Sequence, residues 1–235
     1  MSFQPLVPFA GYAGWTFLNR TLPTQSAAFD ASPAISRDRE YFRENIGNIT
    51  SAEDLTKDFR LLRVALGAFG LQDDLPNRAF IQRVLSDGVS SDEALSNKLA
   101  DKRYRSFSEA FGFGEALPPK TQTPGFADRI LANFSRQEFE RAIGDQNADM
   151  RLALSAAREL PELVQASETD NGAWFRVMGN PPLRSVMETA LGLPSSIGSL
   201  DLDQQLKEFR SQAERVFGDG EVAQFASEDG TEIDR

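Results

Sequence analysis

The chain has 235 residues, of which 40% are hydrophobic and 26% charged, with a formal net charge of −10. This composition predicts a soluble globular protein with one sizeable core or two small ones. The chain has neither cysteine nor histidine, which excludes disulfides, thiol catalysis, Cys/His zinc sites and Ser-His-Asp triads. We therefore predict a protein that is not an enzyme and has no metal or cofactor. The acidic charge also argues against nucleic acid as a partner.

The apolar segments are too short and too interrupted for a membrane span. No apolar stretch approaches the ~20 residues that cross a bilayer. The N-terminal sequence MSFQPLVPFAGYAGW has no basic residue before its apolar run and contains Pro5 and Pro8, unlike a secretory signal peptide. The sequence therefore predicts a cytoplasmic protein without a membrane span.

Residues 1–36 are rich in proline, glycine and aromatic residues, and we expect an irregular leader in which only residues 15–20 form a short helical turn. Its apolar side chains also include Leu6. The candidate partner-binding residues are Phe3, Phe9, Tyr12, Trp15, Phe17 and Leu18. An exposed apolar segment marks an interaction site. The leader docks either on its own helical domain or on a partner, and the sequence leaves both alternatives open.

Residues 37–217 carry successive amphipathic helical patterns and predict an all-α, compact domain of about 8–10 helices. Ser51 with Asp54 has the spacing of a helix N-cap. The pattern predicts that this helix ends at Gly70 and that the next one runs from Pro76 to Gly88.

The acidic C-terminal tail, residues 218–235, has six acidic residues and one basic residue, Arg235. Its apolar content is too low to predict packing, so we expect disorder, at least beyond Phe225.

A faint internal repeat suggests that the helical domain consists of two related lobes, at about 37–116 and 124–217. Phe42 and Ile46, followed by glycine, match Phe139 and Ile143, followed by glycine. Three further short blocks recur in the same order, but the spacings between blocks differ. Chance similarity among amphipathic helices is the alternative.

Two polar motifs contain residue types that also occur in functional sites. The run from Asp145 to Asp149 opens like a calcium loop, but Met150 and Ala156 occupy the positions that require glycine and glutamate. In the polar cluster at 101–105, we expect Asp101 and Arg105 to form an ordinary ion pair across one helical turn. We assign no catalytic, cofactor-binding or metal-binding residue.

Three short runs carry a family resemblance: DFRLLRVALGAFGL at residues 58–71, LADKRY at 99–104 and AFGF at 110–113. They resemble the signature of a bacterial domain-of-unknown-function family that is encoded in flagellar gene clusters. The similarity extends over roughly residues 11–215. It implies a flagellum-associated protein and supplies no mechanism.

These observations together predict a flagellum-associated structural or regulatory protein that binds another protein, such as an assembly factor or chaperone. The expected partner is a flagellar component, and a homo-oligomer is left open. A small-ligand-binding regulatory domain is one alternative, which an apolar pocket with a few polar groups would favour. An enzyme that uses Asp, Lys and Tyr is the other.

Overall fold

The structure is a computed structural model that describes residues 3–115 and 118–226, and within these ranges helices are the sole regular secondary structure. The twelve α-helices of this part of the chain, α1 to α12 in order, are Gly11–Asp30, Pro33–Asn45, Ala52–Lys57, Phe59–Gly67, Arg78–Asp87, Leu95–Lys98, Arg103–Phe111, Phe126–Gly144, Ala148–Gln165, Asp170–Met178, Pro181–Ala190 and Leu202–Phe217. Short 3₁₀ helices connect them at Ile46–Asn48, Gln72–Asp74, Lys120–Gln122 and Ser195–Ser199, and a fifth, Val222–Ala226, follows α12. The all-α prediction is confirmed.

There are more helices than predicted because aspartate residues interrupt two of the expected runs. The helix that starts after Ser51 ends at Lys57, and Asp58 caps a new one by accepting the N–H groups of Arg60 and Leu61 at 2.9 and 3.0 Å. Asp101 likewise accepts the N–H of Arg103 at the start of α7. An aspartate that bonds to the backbone two residues ahead favours a helix start over continuation.

The expectation of an irregular leader over residues 1–36 is wrong for most of its described part. Residues 11–30 form α1, and α2 begins at Pro33. Pro23 lies inside α1, although proline lacks an N–H and disfavours a helix interior. The helix forms because Leu18 and Phe29 are buried, and tertiary packing of an apolar face outweighs local propensity.

The chain divides into two compact units, Met1–Gln146 and Asn147–Arg235. In the first unit, α4 packs against α2, α3 and α8, and α1 also packs against α8. Its core contains a series of edge-on phenylalanine contacts from Phe69 through Phe107 and Phe111 to Phe126, with ring centroids 5.1–5.3 Å apart. The Phe-rich composition therefore serves the core of this unit.

The second unit is built on α9, which packs against α10, α11 and the 3₁₀ helix at 222–226. Trp174 is fully buried at its centre, against Phe209 at 5.6 Å and Phe225 at 6.5 Å. Asn147 caps α9 by accepting the Met150 N–H at 3.1 Å. The run from Asp145 to Asp149, which opens like a calcium loop, thus contains the residue that caps α9.

The described part of the acidic C-terminal tail, residues 218–226, is ordered and packs within the second unit. Val222 and Phe225 are buried. The Trp174 indole donates to the Gly220 carbonyl at 2.9 Å, and Asp170 accepts the Val222 N–H at 2.8 Å. Two buried apolar side chains are enough to hold residues 218–226 in place because hydrogen bonds fix the backbone around them. The remainder of the predicted disordered tail, residues 227–235, lies outside the described residues.

The two units do not coincide with the lobes that the repeat suggested. The expected second lobe began near residue 124, whereas α8, at residues 126–144, belongs to the first unit. The ring of Phe134 on α8 lies close to Gly67 of α4. A Cβ atom on residue 67 would be 2.9 Å from this ring. This close approach joins α8 to the first unit's core and places the boundary at 146/147.

Candidate protein-binding surface

The segment at residues 3–10 precedes α1 and is held by backbone hydrogen bonds and by the burial of Pro5. Leu6 donates its N–H to the side-chain oxygen of Gln25 at 2.6 Å, and the Gln25 amide donates to the Leu6 carbonyl at 3.2 Å. The Gln146 amide donates to the Pro5 carbonyl at 2.5 Å. Gln25 is itself buried and donates to the Thr21 hydroxyl at 2.7 Å. These bonds fix the path of the segment, in which the side chain of Pro5 is buried while that of Leu6 is exposed.

Three apolar side chains of this region point into solvent. Leu6 is 62% exposed, Phe9 57% and Tyr12 66%. The Phe9 ring packs edge-on against Phe17 of α1, with centroids 6.2 Å apart, and this contact limits the rotation of the exposed ring. We call Leu6, Phe9 and Tyr12 the N-terminal apolar surface.

The predicted partner-binding residues divide into two groups. Phe9 and Tyr12 are exposed, whereas Phe3, Trp15 and Phe17 are half-buried. Leu18 is 0% exposed, so its assignment to a partner surface is wrong. Once α1 forms, Leu18, Gln25 and Phe29 share the face that enters the core. Their spacing of seven and four residues is helical, and this signal could have predicted the burial of Leu18.

Leu6 belongs to the surface but was absent from the predicted binding set. Its position between Pro5 and Pro8 gives no periodicity from which exposure can be predicted. The exposure follows from the Gln25 contacts, which use the Leu6 backbone and leave its side chain free to project outward.

The surface lies in the part of the chain with the fewest charges. Residues 1–29 contain one basic residue, Arg20, and no acidic residue. The remaining 206 residues then carry 24 basic and 35 acidic residues, a net charge of −11. An apolar surface without neighbouring carboxylates in its own segment can be desolvated at low cost.

The polar cluster at 101–105 has a structural role in this fold. Asp101 pairs with Arg103 at 2.7 Å and not with Arg105 as predicted. The reason is that Asp101 precedes α7, so residue 103 is within its reach. Arg103 also donates to the Gly70 carbonyl at 2.7 Å, which joins the start of α7 to the turn after α4.

Tyr104 donates its hydroxyl to Asp74. Partial burial, together with this hydrogen bond, raises the pKa of the Tyr104 phenol. Tyr104 also packs edge-on against Phe80 at 5.3 Å. The neutral phenol therefore acts here as a hydrogen-bond donor between α7 and the 3₁₀ helix at 72–74.

An open depression of about 780 Å³ lies in the second unit, beside α12. Its lining is charged or polar except for Leu206 and Gly220, and includes Lys207, Arg210 and Glu214. Arg210 is already paired with Asp170 at 2.7 Å. Among residues 3–115 and 118–226, no group of three or more acidic side chains is placed to hold a metal ion. None of the helices in these ranges has both the length and the apolar character that a membrane span requires.

The fold and this surface define a helical protein of two units with an exposed apolar N-terminal segment. Residues 68–229 match the family described as "Protein of unknown function (DUF1217)", and the chain belongs to that family. The crystal structure of protein AGR_C_984 from Agrobacterium tumefaciens is similar, with a TM-score of 0.69 and 25% sequence identity. The match covers 90% of this chain and 98% of that one. No curated protein matches the sequence.

Proposed function

We propose that this protein is a flagellum-associated cytoplasmic protein that acts without catalysis, by binding another protein through the N-terminal apolar surface. The observation that carries the proposal is the exposure of Leu6, Phe9 and Tyr12 on a backbone fixed by Gln25. The flagellar assignment rests on the resemblance of the runs at 58–71, 99–104 and 110–113 to a family encoded in flagellar gene clusters.

The energetics favour a partner for this surface. Burial of one such side chain contributes about 1.5–3 kcal/mol, so three of them provide the core of a modest interface. Because the segment is already ordered by hydrogen bonds, a partner would lose less free energy in ordering it. Tyrosine is enriched among the residues that dominate binding energy at interfaces.

An assembly factor or chaperone that recognises a flagellar component fits this arrangement best. A second copy of the chain is the alternative partner. Self-association through residues 3–12 would avoid the repulsion between acidic surfaces, since the first 29 residues hold no carboxylate side chain. Mass measurements at several protein concentrations distinguish self-association from partner binding. Self-association predicts that the mass of the wild type rises with concentration and that the mass of an F9S/Y12S variant does not.

The small-ligand alternative has less support. The depression beside α12 is open and lined mostly by charged and polar groups, whereas ligand pockets are enclosed and largely apolar.

The proposal is tested by complementation of a strain that lacks the gene. We expect the deletion to reduce swimming in soft agar and the wild-type gene to restore it. A gene with L6S, F9S and Y12S should fail to restore swimming at equal protein level. The matched control is L202S with V216S, which alters exposed apolar side chains of the second unit. Normal swimming of the deletion strain would refute the flagellar role, and full rescue by the triple variant would refute the surface.

A further inference from the structure

A second surface of the first unit combines arginine and aromatic side chains from α2, α4 and α5. The Arg60 guanidinium lies over the Tyr41 ring, 3.9 Å from its centroid. The Arg78 guanidinium lies 5.7 Å from the centroid of Phe59, which is 49% exposed. We call Arg37, Tyr41, Phe59, Arg60 and Arg78 the arginine–aromatic surface. It is separate in sequence from the N-terminal apolar surface.

Backbone and side-chain hydrogen bonds hold this surface in place. Tyr41 donates its hydroxyl to Asp58 at 2.7 Å, and Asp58 also caps α4. Arg60 donates to the carbonyl of Arg37 at 3.1 Å, which fixes its guanidinium between α2 and α4. Phe59 is the first residue of α4, so the cap fixes the position of its backbone. Because these bonds already order the side chains of the surface, binding of a partner loses less conformational entropy.

The nearby carboxylates are occupied by other groups. Asp58 accepts the Tyr41 hydroxyl and two backbone N–H groups. The buried Asp38 accepts a hydrogen bond from Arg63 and lies 3.8 Å from Arg60. Asp74, near the start of α5, accepts the hydroxyl of Tyr104 and the amide of Asn77.

The surface carries positive charge on an acidic chain. Counted with Arg63 and the three carboxylates named above, Asp38, Asp58 and Asp74, this region has four arginines and three acidic side chains, a local excess of 4 − 3 = +1. Within residues 3–115 and 118–226, Arg37 and Arg78 have no carboxylate oxygen within 4.0 Å. Arg37, Arg60 and Arg78 are all exposed.

We propose that the arginine–aromatic surface binds an acidic segment of a partner protein that places an apolar side chain against Phe59. Guanidinium groups bind carboxylates through two parallel hydrogen bonds. An arginine held over an aromatic ring keeps its donors free at the edge while the face of the guanidinium is covered. Arginine and aromatic residues are also the side chains that dominate binding energy at interfaces.

A short acidic segment fits the charge distribution better than nucleic acid does. The chain as a whole carries −10 and repels an extended polyanion. A peptide of a few residues contacts the positive surface alone. A base could nevertheless stack on Phe59, so an oligonucleotide is included in the test.

The experiment measures binding of a labelled nonapeptide with four glutamates around one phenylalanine by fluorescence anisotropy, with the purified full chain. We expect saturable binding that weakens with added salt. R78A and F59A should each weaken it by about fivefold, since each removes one side of the stacked pair. The control R136A removes an exposed arginine of α8 and should leave binding unchanged. Unchanged melting temperatures establish that each variant is folded.

Each of the following results would overturn the inference. The first is that the peptide shows no binding at concentrations up to about 1 mM, which is high enough to detect weak protein contacts. The same peptide with lysine in place of glutamate binds equally well. R136A weakens binding as much as R78A does. An oligonucleotide of equal charge displaces the peptide at equal concentration, which would assign the surface to nucleic acid. None of these results depends on swimming, so this inference and the proposed function fail separately.

Discussion

The side-chain amide of Gln25 pairs with both backbone hydrogen-bonding groups of Leu6, accepting its N–H at 2.6 Å and donating to its carbonyl at 3.2 Å. One buried side chain thereby links the segment at residues 3–10 to α1. The Leu6 side chain is left 62% exposed by the same contact. Gln25 therefore helps to position the N-terminal apolar surface, together with the Gln146 bond to Pro5 and the packing of Phe9 on Phe17.

Replacement of Gln25 by alanine should release this segment. A buried hydrogen bond whose partner is removed costs about 1–3 kcal/mol, and here two bonds to one residue are lost together. We expect faster amide exchange at residues 3–10, measured by hydrogen–deuterium exchange, while exchange in α4 stays slow. The control is Q122A, which removes an exposed amide that donates to the Gly47 carbonyl at 3.3 Å. Unchanged exchange at residues 3–10 in Q25A would show that Gln25 does not hold the segment.

Leu18 and Phe9 provide a test of which leader residues belong to the core. L18A should lower the free energy of unfolding by about 2–5 kcal/mol, because Leu18 is fully buried. F9A should change it by about 0.5 kcal/mol or less, because Phe9 is mostly exposed. Denaturant titration of both variants measures the difference. Equal effects would contradict the division between core and surface. By the same argument, deletion of residues 1–20 would remove Leu18 and should destabilise the first unit.

The sequence predicted the all-α class correctly because amphipathic helical spacing and capping residues are local signals. The Ser51 cap is an example, since its hydroxyl oxygen accepts the Asp54 N–H at 3.1 Å. The errors occur where tertiary contacts override local signals. Pro23 and two nearby glycines indicated irregular structure, yet burial of Leu18 and Phe29 stabilises α1.

The candidate surfaces were predictable to different degrees. Phe9 and Tyr12 were identified from the excess of apolar side chains in a proline- and glycine-rich segment. The arginine–aromatic surface was not, because it assembles residues from three helices that are separated by up to 41 positions, from Arg37 to Arg78. A single sequence contains no local signal for such a juxtaposition.

Gly114 is predicted to be intolerant of any side chain. A Cβ at this position would lie 2.3 Å from the Gly88 nitrogen and 2.5 Å from the Ser86 carbonyl oxygen. Both are backbone atoms and cannot rotate away, so the turn at 112–115 would have to move. We expect G114A to destabilise the first unit by about 1–3 kcal/mol or more. In contrast, G47A meets no atom within 4 Å and serves as the control in the same denaturant titration. Equal stability of G114A and wild type would contradict this contact.

Glu115 is predicted to make stability depend on pH in the acidic range. The Ser90 hydroxyl and the Val89 N–H donate to its carboxylate and lower its pKa. A group whose pKa is lower in the folded state stabilises the fold above its unfolded pKa of about 4.3 and loses that contribution as the pH falls through its folded value.

The E115Q variant should therefore be less stable than wild type at about pH 7, and the difference should shrink as the pH falls below the unfolded pKa of about 4.3. Denaturant titrations at several pH values measure the difference. E44Q, which alters an exposed glutamate on α2, controls for the loss of one negative charge. A difference between E115Q and wild type that stays constant with pH would contradict the role of the Glu115 carboxylate.

Photo-crosslinking in motile cells tests most directly whether the N-terminal apolar surface contacts a flagellar component. A benzophenone amino acid would replace Phe9 in one strain and the similarly exposed Leu202 in a control strain. We predict that illumination links position 9, but not position 202, to one discrete protein that mass spectrometry identifies as a flagellar component. Absence of any adduct at position 9, or the same adducts from both positions, would contradict the account.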